Sequence, residues 1–383
     1  MLKTVGLLFA SAGVIALLVA VSAAGCRRGP AALGNRQEGY QDETLRRLAG
    51  PSVAIDPAFD FYKDKSWEQW AAEIQEHGFS AVHIITVGGI PLDTQSEMVK
   101  AFHDRDMACA LRLYPTTDFK AYEAHPEWRQ KALDGTSRHD WRVYLCPSAP
   151  GFTEHVRDGI RETLQAVPYD AIELSEPWFE VWGGPYEKNP QHGKYACICD
   201  HCSRIFKERT GTSPGDFLFD SEKLKTDNAL IYRQWQDFRV ETIIEFSRQL
   251  ADEAKAVRPG IRIIHMHLSD CTVEPDACRE YQAQDLEAAL GSLKPDILVI
   301  QDAWQDWLKP DLDPNYVRIY AEAYVKRSRA VLPDLVIKAH ADIGSKKRSQ
   351  RNIRWMSRFL KEARKGGFDS TVYYEYSIGD FSR

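Results

Sequence analysis

Three cysteines stand within six residues, Cys197-Ile198-Cys199-Asp200-His201-Cys202, and a fourth lies upstream in Arg142-Val143-Tyr144-Leu145-Cys146-Pro147-Ser148. Thiols crowded in this way can rarely all pair as disulfides, and the spacing points to a soft tetrahedral metal site, structural zinc by ligand type. The competing reading is a disulfide such as Cys146 with Cys202, which leaves two thiols over. Four thiolates leave no open coordination position, so a metal held by Cys146, Cys197, Cys199 and Cys202 would have a mechanical role. Cys271 and Cys278, seven residues apart, could close a local disulfide. Cys109, inside an apolar run, reads as a small buried hydrophobe.

The remaining residues with chemistry to offer come at the ends of short apolar runs. Period and punctuation predict eight strands, at Ser52 to Asp56, Ala81 to Val87, Ala108 to Tyr114, Ala171 to Leu174, Ile261 to His267, Ile297 to Gln301, Leu335 to Ala339 and Thr371 to Tyr376. Helical stretches fall between them, such as Trp67 to His77 and Ile231 to Val257, with Gly78 and Gly260 expected as caps just past their ends. Eight strands alternating with helices are the pattern of an α/β fold, a (β/α)8 TIM barrel. The strand ends carry Asp56, Arg112, Glu173 with Glu176, His265 with His267, Asp302 with Trp304, His340 with Asp342, and Glu375. Polar residues at strand C-termini are what a barrel active face requires, because the loops that follow the strands form it. The segments from Thr116 to Asp170 and from Pro177 to Asn228 are too long for simple connections. The four clustered cysteines divide between these two long loops after strands three and four, so a metal there would lock them together beside the barrel mouth.

The chain has 383 residues and a formal net charge of −6, with no long basic run, which leaves no footprint for nucleic acid. Its first residues give an address. A short positive start at Lys3, an apolar run from Val5 to Val21 and the small residues Ser22-Ala23-Ala24-Gly25 before Cys26 read as a secretory signal. The segment resembles a bacterial lipoprotein signal, with Cys26 lipidated, although Ala23 stands where that pattern usually has Leu. An uncleaved anchor is the alternative, and Arg27 and Arg28 on the far side argue against it. The expected organisation is a signal over 1–25, a linker over 26–48 and the barrel over 49–383, outside the cytoplasm and lipid-anchored to a bacterial membrane. In that oxidising setting a bound metal would protect the thiols.

The segment Arg142-Val143-Tyr144-Leu145-Cys146-Pro147-Ser148-Ala149-Pro150, then Ser175-Glu176 after an apolar strand, then Cys197-Ile198-Cys199-Asp200-His201-Cys202-Ser203-Arg204-Ile205-Phe206, resembles the glycoside hydrolase family 42 β-galactosidases and their barrel relatives. The resemblance implies that the four cysteines hold zinc and that Glu176 is the general acid/base. Ser175 replaces the Asn that precedes the acid/base in that family. The family's nucleophile, a Glu at the end of strand seven, has no counterpart in Val336-Ile337-Lys338-Ala339-His340-Ala341-Asp342. The nearest substitutes are Asp342 and, one strand on, Glu375.

Cleaving a glycosidic bond takes one carboxylic acid to protonate the leaving oxygen and one carboxylate across the sugar. Glu176 is the expected acid, with Trp178 able to floor a sugar subsite. Glu375, between Tyr374 and Tyr376, is the expected partner, and Asp302 is the runner-up. Glu173 is expected inside the barrel or paired with Arg112. Asp56, Arg112, Trp178, His265, His267, Asp302, Trp304, His340, Asp342 and Tyr374 make the expected substrate-binding set. His265 and His267 share one face of strand five and are expected to line the barrel interior, binding hydroxyls or, with Asp302, a catalytic metal. Ten Trp and sixteen Tyr suit a chain that stacks on sugars. The expected partner is therefore an oligo- or polysaccharide. The rival reading is a surface lipoprotein that binds a glycan on a TIM-barrel scaffold without cutting it.

Overall fold

The computed structural model of the chain describes residues 42–87, 89–137, 139, 142–179, 196–218, 223–268 and 275–382. Cys26 and Cys271, with the signal and lipidation readings, lie outside the described residues. Eight parallel strands close into a barrel in sequence order: β1 (Ser52–Ile55), β2 (Ala81–Ile85), β3 (Ala108–Leu113), β4 (Ala171–Leu174), β5 (Arg262–Leu268), β6 (Ile297–Gln301), β7 (Val336–Asp342) and β8 (Ser370–Tyr374). The helices α1 (Glu43–Leu48), α2 (Trp67–Glu76), α3 (Leu92–His103), α4 (Phe119–Ala124), α5 (Phe152–Ala166), α6 (Asp200–Thr210), α7 (Ala229–Val257), α8 (Pro275–Gln282), α9 (Leu286–Leu293), α10 (Trp304–Trp307), α11 (Val317–Tyr320), α12 (Lys326–Val331) and α13 (Ile353–Gly366) connect the strands. This is the α/β TIM barrel expected from the strand pattern.

Two local signals set the second helix. Ser66 and Gln69 form a reciprocal capping box at its start, and Gly78 takes φ +88 just past its end. Gly260 does not play that part for α7, which ends in Arg258 with extended backbone. Strand β7 runs on to Asp342, beyond the expected stop at Ala339, so His340 and Asp342 are strand residues.

Alternation along each strand separates two cores. Ala81, Ala108, Ala110, Ala171, Ile264, Met266, Ile297, Val299, Val336 and Val372 fill the barrel interior, with Leu48 and Ala49 closing its N-terminal end. Val53, Ile55, Val82, Ile84, Cys109, Leu111, Ile172, Leu174, Ile263, Leu298, Ile300, Ile337 and Ala339 face the helices. The small alanines inside leave room for long polar side chains. Lys338 reaches Leu48 O and Ser52 Oγ at 2.7 Å each, and His83 bridges Ser52 Oγ at 2.9 Å to the Glu173 carboxylate. The expected linker over 26–48 therefore ends in a helix that belongs to the barrel.

The same alternation overturns one expectation. Ile264 and Met266 point inward, so His265 and His267 lie on the outer face of β5, and the His267 ring packs 5.3 Å from that of Tyr324. Burial lowers the His265 imidazole to about 4. Burial, with the charges of His265 and Arg327 adding to it, lowers His267 to about 3. Both are neutral packing residues at pH 7, not cavity ligands.

Candidate active site

At the C-terminal ends of the strands the barrel opens into a cavity of about 910 Å³, within the range of small-molecule and oligosaccharide sites. Aromatic side chains from separate loops and strand ends form its sides: Phe59 after β1, Tyr114 and Phe119 after β3, Tyr144 and Trp178 from the two long loops, Trp304 and Trp307 of α10, and Tyr374 closing β8. Asp56, Arg112, Arg142, Glu176, Gln301, His340 and Lys346 supply its polar and charged points. Among the expected substrate-binding residues the structure thus brings Asp56, Arg112, Trp178, Trp304, His340 and Tyr374 to one space. His265, His267, Asp302 and Asp342 do not line it.

Glu176 sits two residues past β4 with φ +51, a left-handed backbone uncommon for a residue with a Cβ. Neighbours fix the turn: Ser175 N–H donates to Leu113 O at 2.8 Å, and Gln284 Nε2 donates to Pro177 O at 2.7 Å. One Glu176 oxygen accepts from Gln301 Nε2 at 2.9 Å and the other pairs with Arg142 Nη1. Burial alone would raise this carboxyl, but the Arg142 guanidinium and the Gln301 amide outweigh it and hold Glu176 below the ordinary carboxylate range. This setting favours the ionised form of the group that reaches the cavity. Glu173 points into the barrel and lies 3.5 Å from Arg112 Nε, consistent with its expected pairing.

The carboxyls considered as partners occupy different settings. Glu375 follows the end of β8 and accepts from Asp56 N–H at 3.0 Å, Ser377 N–H at 2.9 Å, Tyr62 O–H and Ser377 O–H. Burial pushes it up to about 7 against those donors. Both of its oxygens are engaged behind the cavity wall, so it cannot face a sugar; it fixes the backbone of Asp56. Asp302 holds His340 Nδ1 at 2.9 Å and is itself held by Tyr316 O–H at 2.8 Å. Asp342 caps the loop after β7 through Gly344 N–H at 3.0 Å and Ser345 N–H at 2.9 Å. A Cβ at Gly344 would run into the Ile378 carbonyl, so this loop requires glycine. The cavity carboxyl opposite in character to Glu176 is Asp56, at the end of β1. Burial raises it, and only the Ala58 N–H, at 3.1 Å, opposes the rise.

The thiol cluster stands beside this space. Cys146, Cys197, Cys199 and Cys202 are buried, and their sulfurs lie within 4.8 Å of one another. Cys146 Sγ is 3.4 Å from Cys202 Sγ and 3.6 Å from Cys199 Sγ, too far for a disulfide at ~2.05 Å and close to the ~3.8 Å edge of a tetrahedron with zinc–sulfur bonds of ~2.3 Å. All four are free thiols, as is Cys278, so the Cys146–Cys202 disulfide is not formed. Cys199 caps α6 and Cys202 lies in its first turn. These four side chains could hold a metal ion. Lys131 N–H donates to Cys197 Sγ at 3.4 Å, and an antiparallel bridge joins Ala132 to Ala196. The cluster therefore ties the loop carrying Arg142 and Tyr144 to the loop that follows Trp178.

Several cavity residues were not singled out from sequence. Arg142 lay inside the quoted motif, four residues before Cys146, and Gln301 closes the sixth strand, but neither position announces contact with Glu176. Tyr114, Tyr144, Phe59, Phe119, Trp307 and Lys346 carry no distinguishing spacing.

No protein-family model matches the chain, and no curated protein is similar to it in sequence. Its fold is similar to solved glycoside hydrolases. The glycoside hydrolase domain of PgaB (BpsB) from Bordetella bronchiseptica aligns with a TM-score of 0.63 at 12% identity, over 85% of this chain and 93% of that one. A β-galactosidase from the Antarctic haloarchaeon Halorubrum lacusprofundi aligns at 0.58 and 15% identity, over 86% of this chain and 55% of that one. An α-L-fucosidase isoenzyme from Paenibacillus thiaminolyticus aligns at 0.56 and 11% identity, over 87% and 47%. The chain spans about half the length of the last two. At these identities the shared property is the barrel fold.

Proposed function

We propose that the protein is a glycoside hydrolase that cleaves an oligo- or polysaccharide in the barrel-mouth cavity, using Asp56 and Glu176 as its two carboxyl groups. One observation carries this reading: a single aromatic-walled cavity holds two carboxyls in opposite electrostatic settings, Asp56 raised by burial and Glu176 lowered by Arg142. Environments that push two carboxyls apart assign the acid and the base. Protonated Asp56 donates its proton to the leaving glycosidic oxygen as the bond to the anomeric carbon breaks. Ionised Glu176 faces the charge that develops on the sugar ring, either attacking the carbon or activating a water. Tyr114, Trp178 and Tyr374 give the sugar faces to stack on, and His340, oriented by Asp302, offers Nε2 to a hydroxyl.

The similarity in fold to β-galactosidases and other glycoside hydrolases supports a glycosidase-like barrel, and the proposed partner for Glu176 would separate this chain from the chemistry of family 42. The thiol cluster is read as a structural zinc site that steadies the loop carrying Arg142. Zinc supplies no step of the reaction. The leader is read as a lipoprotein signal that exports the barrel and anchors it through Cys26.

The direct test is a product screen of the purified protein against aryl glycosides and plant, algal and bacterial polysaccharides. Release of reducing ends by the wild type, lost in Glu176→Gln, is the expected result. A protein that binds a glycan yet releases no product from it would instead favour the non-catalytic reading.

A further inference from the structure

Resting on that reading of the cavity, we infer that its substrate is an acidic glycan, whose carboxylate or sulfate groups seat on Arg112 and are drawn in by the basic loop Lys346-Lys347-Arg348. Arg112 is 1% exposed yet lines the cavity. Its Nη2 meets only the sulfur of Met266 at 3.4 Å, and its Nε lies 3.5 Å from Glu173 without a hydrogen bond. Nε and Nη1 have no hydrogen-bond partner among the described residues. Glu173 balances the charge of Arg112 at 3.5 Å without hydrogen-bonding to it, its oxygens accepting from His83 and, at 2.7 Å, from Ser175 Oγ. A buried guanidinium with open donors is costly unless something else completes it.

The other open polar atoms on the cavity wall point the same way. Trp178 Nε1 and Trp307 Nε1 are buried without a partner among the described residues, and each can only donate. Against these donors stand two acceptors, the ring nitrogen His340 Nε2 and the amide oxygen of Gln301. A neutral sugar presents hydroxyls that donate as readily as they accept, and would leave protons unmatched on such a wall. An anion presents acceptors alone. Of the two wall carboxyls, Glu176 is already engaged by Arg142 and Gln301, which leaves Asp56 as the other.

The mouth adds long-range attraction. Lys346, Lys347 and Arg348 are exposed, and none has an ion-pair partner among the described residues, although the chain as a whole carries −6. Lys346 itself lines the cavity. Three uncompensated cations at a low-dielectric opening focus field lines on anionic ligands and raise their local concentration.

The test is titration calorimetry of the intact protein with oligomers of galacturonate, glucuronate and mannuronate, each beside its carboxyl-reduced neutral counterpart, and with a sulfated galactan oligomer. The expected result is at least about tenfold tighter binding of an acidic oligomer than of its neutral counterpart, weakening as salt rises from ~0.05 M to ~0.5 M and shortens the Debye length. Which anion binds identifies the carboxylate or the sulfate as the recognised group. The triple variant Lys346→Ala, Lys347→Ala, Arg348→Ala, confined to an exposed loop, is expected to lose much of the salt dependence. Arg112→Lys, where it folds, is expected to narrow the gap between acidic and neutral oligomers. Equal or tighter binding of the neutral oligomers overturns the inference and leaves the glycan-cleaving reading standing. Binding of no oligomer in either set overturns both.

Discussion

Glu375 and Asp56 touch through one hydrogen bond, yet their roles differ. The Glu375 carboxyl accepts the Asp56 N–H at 3.0 Å and is not among the residues lining the cavity, which makes it a positioning residue for the proposed acid. Glu375→Ala is expected to lower kcat by about tenfold or more with little change in KM, because it loosens a catalytic acid rather than a substrate contact. Glu375→Gln keeps an acceptor for that N–H and is expected to restore most of kcat; equal loss in both variants would refute the positioning role. The pH profile follows from the two cavity carboxyls. Activity needs Glu176 ionised, and its lowered pKa places that limb below the ordinary Glu range. It also needs Asp56 protonated, so activity declines as pH rises through the raised pKa of Asp56. The expected kcat/KM profile is a bell on the acid side of neutrality whose descending limb moves in Asp56→Glu. A profile flat to alkaline pH would contradict the assignment.

At the scale of elements, the thiol cluster fastens one long loop to another, and Arg142 is four residues from Cys146. Replacing Cys197 by Ser is expected to remove the metal, from about one zinc per chain to well below that, and to cost stability on the order of several kcal/mol. Activity should fall with it as Arg142 loses its hold on Glu176. Metal analysis by mass spectrometry and thermal melts check this, and full activity in a metal-free variant would sink the clamp account. The strands were legible because each is a short apolar run between turn residues, and the exit residues of β1, β3 and β4 correctly mark the mouth. Which face of β5 points inward was not legible. Ile263 and Ile264 are both buried, as on every strand sandwiched between barrel interior and helices, so alternation alone cannot say whether His265 and His267 belong inside. That Glu375 lies outside the cavity lining was not legible for a related reason. Tyr62, which engages Glu375, is 313 positions away in sequence, and no local pattern encodes that contact.

For the whole molecule, the barrel supplies a rigid ring of strand ends and the loops supply the chemistry, which is why fold similarity to glycoside hydrolases leaves the residues to be argued individually. The proposed lipoprotein signal bears on where that chemistry would happen. Expressed in a bacterial host, the protein is expected in the membrane fraction with a diacylglyceryl mass on Cys26, and Cys26→Ser is expected to release it from that fraction; an unmodified mature Cys26 would refute the anchor. The central claim is narrower: Asp56 and Glu176 together cut a glycosidic bond. Steady-state kinetics of Asp56→Asn and Glu176→Gln on whichever glycan the wild type cleaves test it most directly. The account predicts that each variant folds and binds that glycan but loses about 10²- to 10⁴-fold in kcat, the range expected for removing a proton-transfer group. Turnover by Asp56→Asn within a few-fold of wild type would contradict it.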